Sequence, residues 1–583
     1  MKKAVRFSTS GFEPYEGEIR RVASDMEVGA VISRIWRKDA TVWKEKDEEI
    51  SDRLGWLEAP EKTAGMLPGI DSFVNEVREA EYEHALLMGM GGSSLAPEVF
   101  SRVFGTQKGY LTLDVLDSTD PEAVLRGAEK FPCEKTIFIA SSKSGTTLET
   151  TSFLNFFYTR TSESLGRERA GAHFAAITDP GTPLERTARG LEFRRVFHGD
   201  PDIGGRFSAL SAFGLAPAAL LGMDIPRLLA RARLAAGDCR TAAPRENPGA
   251  TLGLLLGVMA TAGRDKAVFL LSPGIECFGA WIEQLLAEST GKEGRGILPL
   301  VRDAGFSFDR VAPDQFVVHI RLGGDGSHDE RLRQIGKNRT PLVSCTLEDV
   351  HDLGYQFFLW EMATAVAGHI LKVNPFDQPN VAASKKKTEA VLKTLQERGG
   401  PAGTKPAGVK GRAFGSPLAR SFNPRASTAE VDPRVKPGAP AAEDELRRFL
   451  SRAEPGDYVV VQAFLPPEPA IRAFLQEFAA AIRAKTDLAV TSDFGPRFLH
   501  STGQLHKGGR GNGLFIQLTS GHPRDAGVPA GPGSSTSSYS FGTLIDAQAL
   551  GDREALRENG RRVIHFHFHD RPGDGVRRLI ESL

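Results

Sequence analysis

The sequence predicts an α/β protein with two tandem α/β units, a helical N-terminus and a third, smaller α/β unit at the C-terminus. Short apolar runs rich in β-branched and aromatic residues alternate with helical patterns, an order that is typical of parallel sheets covered by helices. The alternation stops at one Gly/Pro-rich stretch and then resumes. The length of 583 residues leaves room for about three or four domain-sized units.

The elements are assigned in chain order. Residues 1–80 have helical patterns that end in charged stretches, so we expect a helical N-terminal segment. The first unit, 81–245, has four strand candidates, each followed by a helical pattern: HALLMGM, LTLDVLD, KTIFIAS and HFAAITD. The second unit, 246–396, has the strand candidates DKAVFLLSP and QFVVHIRL and a long buried helix, GYQFFLWEMATAVAGHILKV.

A change in composition separates these two units from the third. Residues 397–442 are rich in Gly, Pro, Ser and Ala with little apolar material, which predicts a flexible linker. Its modest basic excess would suit an arm for nucleic acid, but the near absence of aromatic residues favours a solvated tether. The C-terminal unit, 443–583, has a helix from Glu468 and the strand candidates DYVVVQAFL, LAVTSDFG, GLFIQL and RRVIHFHFH.

Composition excludes several classes of protein. The 73 Lys and Arg balance 73 Asp and Glu, so the whole chain has no general attraction for nucleic acid or anionic membranes, and we expect neither as a partner. No signal peptide is readable, and the most apolar stretch, 250–263, is shorter than the ~20 residues of a membrane span. The four scattered cysteines suit a reducing cytoplasm and argue against disulfides and a zinc ribbon.

The strongest local pattern is a hydroxyl-rich loop between a strand and a helix. Residues 141–147, SSKSGTT, bring five hydroxyls and the Lys143 ammonium to the point where the helix begins. Free amides at a helix N-terminus favour negative charge, and hydroxyls donate to oxyanions. An ordinary N-cap is the plain alternative, but a cap needs only one hydroxyl. The loop therefore predicts a phosphate site.

A glycine-rich turn follows the preceding strand. Gly91 and Gly92 allow the backbone to approach a ligand closely. A dinucleotide loop with Asp117 as the ribose-binding acid is the alternative, but the spacing is not G-x-G-x-x-G. A P-loop is also absent, because Gly291-Lys292 lacks both the upstream glycine and the following Ser or Thr. Nucleotide binding is therefore the minor interpretation.

Three charged residues stand at chemically useful positions. Arg206 follows a glycine pair and precedes a nearly all-apolar helix, where a guanidinium either holds an oxyanion or lies at the surface. Glu283 and Glu288 lie in an otherwise apolar segment. Burial there would raise the pKa of a carboxylate and suit it to act as a general base, although helical glutamates are usually solvated.

Two turns precede a lysine-rich helix start. Asn374-Pro375 and Gln378-Pro379 impose the turns, and residues 385–387 are all lysine. Lysines at a helix N-terminus oppose the helix dipole. A function for at least one of them would explain this cost, and a solvated helix start is the alternative.

Taken together, five segments resemble the glucose-6-phosphate isomerase family and occur in its order: GMGGSSLAP, SSKSGTTLET, GGRFSALSAFGL, QLLAESTGKEG and NPFDQPNVAASKK. The resemblance covers roughly residues 80–400 and implies two SIS-type (sugar isomerase) α/β/α sandwich domains. It also implies a cytoplasmic homodimer with active sites at the subunit interface and no metal or organic cofactor. The implied reaction interconverts glucose 6-phosphate and fructose 6-phosphate, in glycolysis and gluconeogenesis, by proton transfer between C1 and C2 through a cis-enediolate.

The same resemblance assigns roles to individual residues. Glu288 matches the family's base, Arg206 the residue that stabilises the enediolate, and Lys385 the lysine that assists ring opening. The substrate-binding matches are Gly91, Gly92 and Ser93 in the glycine turn, Ser142, Lys143, Ser144 and Thr147 in the phosphate loop, and Gln378 near the phosphate and ring oxygen.

One departure from the family concerns the histidine that opens the sugar ring, which in bacterial members closely follows the glutamate motif. The corresponding stretch here, GILPLVRDAGFSFDR, contains no histidine. The segment LHSTGQ, residues 499–504, resembles the missing stretch, so we expect His500 to take this role from the C-terminal unit. His351 is the second choice, although a structural role is its plainer interpretation, and His319 is a further candidate.

The C-terminal unit also resembles the end of bacterial bifunctional transaldolase/glucose-6-phosphate isomerase proteins, but no transaldolase barrel fits and we expect no such activity. Three histidines, His565, His567 and His569, alternate along one face of a strand and are close to Asp570 in the sequence. Such a row would suit zinc, but chance alternation or a dimer contact is simpler, and we predict no metal site.

Two alternatives to the main prediction remain open. A non-catalytic phosphosugar-binding regulator would use the same sheet unit. Regulators of that kind usually carry a DNA-binding helix-turn-helix, and the first eighty residues contain no such pattern. Glu288 and Lys385 also stand in their catalytic motifs, which counts against a regulator. An isomerase that also accepts mannose 6-phosphate is the second alternative, and Thr147 does not decide it.

Overall fold

The structure is a computed structural model that describes residues 5–301, 311–397, 430–431, 442–569 and 571–583. The predicted linker, 397–442, falls almost entirely outside the described residues. Three five-stranded sheets and one two-stranded ribbon form the framework. The predicted α/β class, with mainly parallel sheets, is confirmed.

The N-terminal segment is helical as predicted, except for one strand at its start. Its elements are β1 (Val5–Ser10), α1 (Glu16–Val28), α2 (Val31–Trp36), α3 (Ala59–Ala64) and α4 (Leu67–Glu79). Strand β1 pairs antiparallel with residues 342–347 and forms one edge of the second sheet. The sequence VRFSTS is short and half polar, which is usual for an edge strand and gives a weak signal.

The first sheet is fully parallel, and all four of its predicted strands are present. Its elements are β2 (His84–Gly89), α5 (Leu95–Phe104), β3 (Thr112–Leu116), α6 (Pro121–Lys130), β4 (Thr136–Ser141), α7 (Leu148–Leu165), α8 (Arg167–Ala170), β5 (Phe174–Thr178), α9 (Pro183–Gly190) and β6 (Arg195–His198). The strand order β3-β2-β4-β5-β6 reverses direction between β2 and β4. Such a switch point opens a crevice at the carboxyl ends of the strands.

The second sheet is parallel apart from β1, in the order β1-β10-β9-β7-β8. The helices and strands of this region are α10 (Ala212–Ala219), α11 (Ile225–Asp238), α12 (Pro248–Thr261), β7 (Lys266–Leu271), α13 (Phe278–Thr290), β8 (Leu298–Leu300), β9 (Gln315–Leu322), α14 (Asp329–Lys337), β10 (Leu342–Leu347), α15 (Leu353–Leu371) and α16 (Pro379–Glu397). Helix α15 is the predicted buried helix and packs against α11 and α12. Strands β8 and β10 were not predicted, because one is three residues long and the other is half polar.

The C-terminal unit carries a third parallel sheet, in the order β11-β17-β14-β12-β13. Its elements are β11 (Glu430–Val431), α17 (Ala442–Leu450), β12 (Tyr458–Phe464), α18 (Pro469–Thr486), β13 (Ala489–Phe494), α19 (Gly503–Gly508), β14 (Gly513–Ser520), β15 (Gly527–Pro529), β16 (Ser537–Ser540), α20 (Phe541–Glu558), β17 (Arg562–Phe568) and α21 (Pro572–Glu581). Helix α20 packs against α16 of the preceding region. Phe541, Leu544 and Ala547 of α20 also join the apolar cluster that covers one face of the first sheet.

No helix within the described ranges combines the length and the apolar character that crossing a membrane requires.

Candidate active site

The glycine turn after β2 meets two other parts of the chain at very short range. Gly91 has φ +54°, and a Cβ at Gly92 would lie 2.0 Å from the carbonyl oxygen of Gly205. A Cβ at Gly91 would lie 3.0 Å from the carbonyl oxygen of His500. Glycine is therefore required here because two backbone segments, one of them from the C-terminal unit, press against the turn.

The hydroxyl-rich loop after β4 is folded around its own hydroxyls. Ser142 Oγ lies 2.9 Å from Thr147 Oγ1 and accepts the amide hydrogen of Gly145 at 3.1 Å. Ser144 Oγ lies 3.0 Å from Thr146 Oγ1. Helix α7 begins at Leu148, directly after the loop, so its first amides and these hydroxyls are close together at the carboxyl edge of the sheet.

Lys143 differs from the prediction that its ammonium faces the phosphate. Its Nζ donates to Asp179 Oδ2 at 2.5 Å and to the carbonyl oxygen of Asp200 at 3.1 Å. These contacts point the charge toward the loops after β5 and β6, because the acceptors there compete successfully with the loop hydroxyls. The hydroxyls, and not the Lys143 ammonium, are thus the polar groups that this loop presents to the adjoining cleft.

An open cleft lies between this loop and elements of the later units. Its lining combines hydroxyls, two basic groups and carboxylates: Ser144, Thr146, Thr147, Leu148, Glu149, Val381, Ser384, Lys385, Thr388, Glu389, Leu499, His500, Gln548 and Asp552. Lys385 is exposed on α16 and lies in this lining, as does His500. The sequence prediction that these two residues share a site with Ser144 and Thr147 agrees with this arrangement.

Arg206 lies in a short 3-10 turn, Gly205–Phe207, and is only 3% exposed. Its guanidinium donates to Ser289 Oγ at 2.7 Å, to Gln378 Oε1 at 2.7 Å and to the carbonyl oxygens of Pro375 and Asp377 at 2.6 and 2.9 Å. Burial lowers the pKa of Arg206, although nearby carboxylates oppose this effect. The surface alternative for Arg206 is therefore wrong, and the same hydrogen bonds bring Gln378 to the site.

Glu288 projects from α13 toward Arg206. Its Oε1 lies 3.5 Å from Arg206 Nη1, and its Oε2 accepts a hydrogen bond from Gln284 Nε2 at 3.0 Å. The carboxylate is 6% exposed. Glu283, the other glutamate singled out on this helix, accepts instead from Ser501 Oγ at 3.3 Å.

His500 reaches this region from a short 3-10 turn, Arg497–His500, that follows β13. Its Nε2 lies 2.9 Å from Glu149 Oε1, and its carbonyl oxygen accepts from Gln284 Nε2 at 2.7 Å. Burial alone would raise the pKa of Glu149, but the charge and hydrogen bond of His500 and the charge of Lys385 lower it to about 2. Glu149 is therefore an anion that faces the imidazole at neutral pH.

The helix that carries Lys385 is anchored by the same segment. Gln504 Oε1 accepts the amide hydrogens of Asn380 and Val381 at 2.9 and 3.3 Å. Its Nε2 donates to the carbonyl oxygen of Gly291 at 3.1 Å. Gln504 thus occupies the place of an N-terminal cap for α16 and links that helix to the loop after Glu288.

Several residues of this region were given no role from the sequence, among them Glu149, Gln284, Lys292 and Gln548. Glu149 and Gln284 stand inside the motifs SSKSGTTLET and QLLAESTGKEG, which was a usable signal. Lys292 is buried and donates to Asn374 O and Asp377 Oδ1 at 2.7 and 2.6 Å, and burial and the charge of Arg206 lower its pKa to about 8. Gln548 lies in no motif, so only the folded chain reveals it.

The other histidine candidates lie elsewhere. His351 contacts Asp349 Oδ1 at 3.2 Å and the ring of Phe104, outside the lining of the cleft. His319 is in β9 of the second sheet and bonds Ser344 Oγ at 2.8 Å. Burial lowers its pKa to about 4.

The residues of the remaining alternatives, Asp117 and the histidines of β17, make contacts with neighbouring side chains. Asp117, the possible ribose ligand, accepts from Arg497 Nη1 at 2.9 Å. Thr519 Oγ1 lies 2.8 Å from both His565 Nε2 and His567 Nδ1. Over the described part of the chain, no three His, Cys, Asp or Glu side chains form a group suited to a metal ion.

Comparisons with known proteins agree on one family. The family model described as phosphoglucose isomerase matches residues 74–296. A probable glucose-6-phosphate isomerase from Haloarcula marismortui is 30% identical over 355 residues, which cover 54% of this chain and 79% of that protein. A glucose-6-phosphate isomerase from Citrifermentans bemidjiense is 29% identical over 405 residues, which cover 59% of this chain and 75% of that protein. A hypothetical protein from Thermus thermophilus, known from its crystal structure, has a TM-score of 0.58 at 25% identity and is aligned over 66% of this chain and 100% of its own.

Proposed function

Because the chain belongs to the phosphoglucose isomerase family and is an isomerase, we propose that it interconverts glucose 6-phosphate and fructose 6-phosphate. The observation that carries this proposal is one hydrogen-bonding link between the two halves of the reaction. Gln284 Nε2 donates both to Glu288 Oε2, at 3.0 Å, and to the carbonyl oxygen of His500, at 2.7 Å. A base for the carbon-bound proton and a group for ring opening are thereby held side by side.

Substrate binding uses the hydroxyl-rich loop and the start of α7. A phosphate dianion at Ser144 and Thr147 meets hydroxyl donors, the helix N-terminus and the Lys385 ammonium across the cleft. Ser142 supports the loop through its contact with Thr147, while Lys143 holds the loop's far side through Asp179. The neutral chain needs no general basic surface, because these groups supply the local charge.

Ring opening is the role of the Glu149–His500 pair. Nε2 of His500 is bonded to Glu149, so Nδ1 is the nitrogen that exchanges a proton with the sugar. In its protonated form the imidazolium donates that proton to the ring oxygen as the C1–O5 bond breaks. The anomeric hydroxyl loses its own proton to water in the cleft as the C1 carbonyl forms. Lys385, on the facing helix, stabilises the charge that develops on the oxygens.

Isomerisation proper is the role of Glu288. Its carboxylate removes the proton from C2 of the open-chain aldose and returns it to C1 through a cis-enediolate, while the proton of the C2 hydroxyl passes to the C1 oxygen. Arg206, whose Nη1 lies 3.5 Å from Glu288 Oε1, is a fixed cation beside the oxygens that carry the negative charge. One such donor contributes about 3–4 kcal/mol to the transition state, and a positioned base about 10²–10⁴-fold in rate.

The test is isomerisation followed by NMR in heavy water. We expect glucose 6-phosphate to give fructose 6-phosphate with partial deuterium at C1, because the proton on Glu288 exchanges with solvent between its two transfers. Conversion without any deuterium would contradict proton transfer by an exchangeable base. Absence of conversion would contradict the proposed substrates, and mannose 6-phosphate in the same assay measures how strictly C2 is recognised.

The family also leads us to expect a homodimer. The Glu149–His500 and Gln284–Glu288 contacts form within one chain, and we propose that each site takes these four residues from a single chain.

A further inference from the structure

The hydrogen bonds around Glu149 include a residue to which none of the sequence motifs gives a role. Gln548, on α20 of the C-terminal unit, is 1% exposed. Its Nε2 donates to Glu149 Oε1 at 2.8 Å, the same oxygen that lies 2.9 Å from His500 Nε2. One carboxylate oxygen therefore accepts from both groups, and both come from the C-terminal unit.

The orientation of the Gln548 amide is determined by its two neighbours. Glu149 is ionised, because its pKa is lowered to about 2, and an ionised carboxylate only accepts hydrogen bonds. The amide must therefore turn its NH₂ group toward Glu149. Its Oε1 then faces Thr119, whose hydroxyl donates to it at 2.6 Å. Each link of the chain Thr119, Gln548, Glu149, His500 thus has a fixed donor and a fixed acceptor.

We propose that Gln548 is a positioning residue of the isomerase site, which acts through Glu149 on His500. It keeps Oε1 of the carboxylate aimed at Nε2 of the imidazole, so that Nδ1 stays directed to the sugar. This inference rests on the proposed function of His500, and it gives the C-terminal unit a second part in the reaction. Without Gln548 the carboxylate is free to rotate, and the imidazole loses its preference for one tautomer.

Other charged groups near Glu149 are consistent with this role. Lys385 on α16 faces the carboxylate and lowers its pKa, whereas Tyr539, which is bonded to Ser152, lies close to it on the C-terminal side. Asp552, one turn beyond Gln548, is paired with Lys507 at 2.5 Å. Glu389 also lines the cleft. Gln548 is thus an uncharged donor among charged neighbours, and it orients the carboxylate without changing the charge of the pair.

Two variants of the full-length chain test the proposal. Gln548→Leu removes the donor at similar volume, and we expect kcat to fall about tenfold with KM changed less than about twofold. Gln548→Glu places a second carboxylate against Glu149, so the two share a proton and one apparent pKa of the pair rises strongly. We therefore expect a new ionisation in the pH profile of kcat/KM for Gln548→Glu that is absent from the wild type and from Gln548→Leu.

The matched control is Asn155→Leu. Asn155 Nδ2 donates to the carbonyl oxygen of Pro529 at 3.0 Å, so this change also removes one buried amide contact between α7 and the C-terminal unit, away from Glu149. We expect Asn155→Leu to lower Tm about as much as Gln548→Leu does, but to keep kcat within about twofold of the wild type. Equal kcat values for Gln548→Leu and Asn155→Leu would overturn the proposal and leave Gln548 as a docking contact.

A readout independent of activity keeps this inference apart from the proposed function. Nitrogen-15 NMR of the histidine rings, assigned with His500→Gln, reports which nitrogen of His500 carries the proton. We expect a single form protonated at Nε2 in the neutral state of the wild type and a mixture in Gln548→Leu. An unchanged spectrum would sink the positioning role even in an active enzyme. An inactive wild type with the expected spectra would contradict only the proposed reaction.

Discussion

Two buried carboxylates of this molecule, Glu288 and Glu149, are treated very differently by their surroundings. Glu288 has one amide donor, at 3.0 Å, and a guanidinium 3.5 Å away whose hydrogen bonds go to other groups. Glu149 has two donors on one oxygen, at 2.8 and 2.9 Å, and its pKa is lowered to about 2. The carboxylate that we propose as the base is thus held by one hydrogen bond, whereas the one that remains an anion accepts two.

The same contrast divides the chain into two regions. Glu288 and Arg206 lie within residues 74–296, which match the family model. Both donors to Glu149 come from the C-terminal unit, which lies beyond that match. The groups proposed for the proton transfer between carbons thus lie in the matched region, and the group proposed for ring opening is supplied by the unit outside it.

The largest effect is expected at the loosely held carboxylate. Glu288→Gln removes the base but keeps the size of the side chain, so kcat should fall by about 10²–10⁴-fold with little change in KM. A coupled assay with glucose 6-phosphate measures it. Glu283→Gln, on the same helix but bonded to Ser501, is the control and should keep kcat within about threefold. A fall of less than tenfold in Glu288→Gln would remove Glu288 from the mechanism.

A smaller effect is expected at the tightly held pair. His500→Gln should lower kcat with the closed sugar by about 10–100-fold, because spontaneous ring opening continues slowly in water and in the cleft. His351→Gln is the matched control, since His351 lies outside the cleft lining and contacts Asp349. Undiminished turnover of closed glucose 6-phosphate by His500→Gln would refute the role of this histidine, and a larger loss in His351→Gln would transfer the role to it.

The division between the two regions is tested directly by mixing. Glu288→Gln and His500→Gln chains are unfolded together, refolded and assayed beside each one alone. If both residues of a site come from one chain, the mixture has only the average of the two separate activities. If a partner chain supplies His500, mixed dimers contain one intact site, and about a quarter of wild-type activity returns. We expect no such recovery.

A stability effect is expected where the C-terminal unit anchors α16. Gln504→Leu leaves the amide hydrogens of Asn380 and Val381 and the carbonyl oxygen of Gly291 without their partner. The free energy of unfolding should fall by about 1–3 kcal/mol. KM should rise, because Lys385 lies on the same helix. Urea unfolding and steady-state kinetics measure the two effects.

The matched control for that change is Gln462→Leu. The amide of Gln462 is buried in β12 with no hydrogen-bond partner among the described residues. Its replacement by leucine should therefore leave the free energy of unfolding unchanged or raise it. A loss in Gln462→Leu as large as in Gln504→Leu would mean that the capping contacts contribute nothing specific.

The smallest effect is a dependence of stability on pH. The pKa of Glu149 is lowered from 4.5 to about 2, so its stabilising contribution is fully present above the unfolded value and is lost as the pH falls through the folded value. The difference in free energy of unfolding between wild type and Glu149→Gln should therefore be largest above about pH 4.5 and shrink below it. A difference that stays constant down to about pH 3 would show that Glu149 is not held as an anion by its neighbours.

Much of the fold followed from local patterns. The strands predicted in all three sheets are present because continuous apolar runs with β-branched residues are bounded by turn residues. Strands β1 and β10 were missed because their sequences are partly polar, and their pairing with each other joins residues more than three hundred positions apart. No local pattern carries information about a partner at that distance.

The candidate site divides in the same way. Arg206, Glu288, Gln378 and Lys385 were predicted because each stands in a motif, and their types suit the proposed chemistry whatever the fold. The direction of Lys143 was not foreseen, because the acceptors that attract it, Asp179 and the carbonyl oxygen of Asp200, come from loops elsewhere along the sheet.

By itself the sequence determined the α/β class and the family, because these depend on periodicity and on short motifs, and it predicted the residue types that we propose for the reaction. The tertiary structure alone decided which groups meet. It brought His500 and Gln548 onto a single oxygen of Glu149, 351 and 399 positions away along the chain. It also turned Lys143 toward another loop. Hydrogen-bond geometry and burial depend on distances in space, and these arise only when the units pack together.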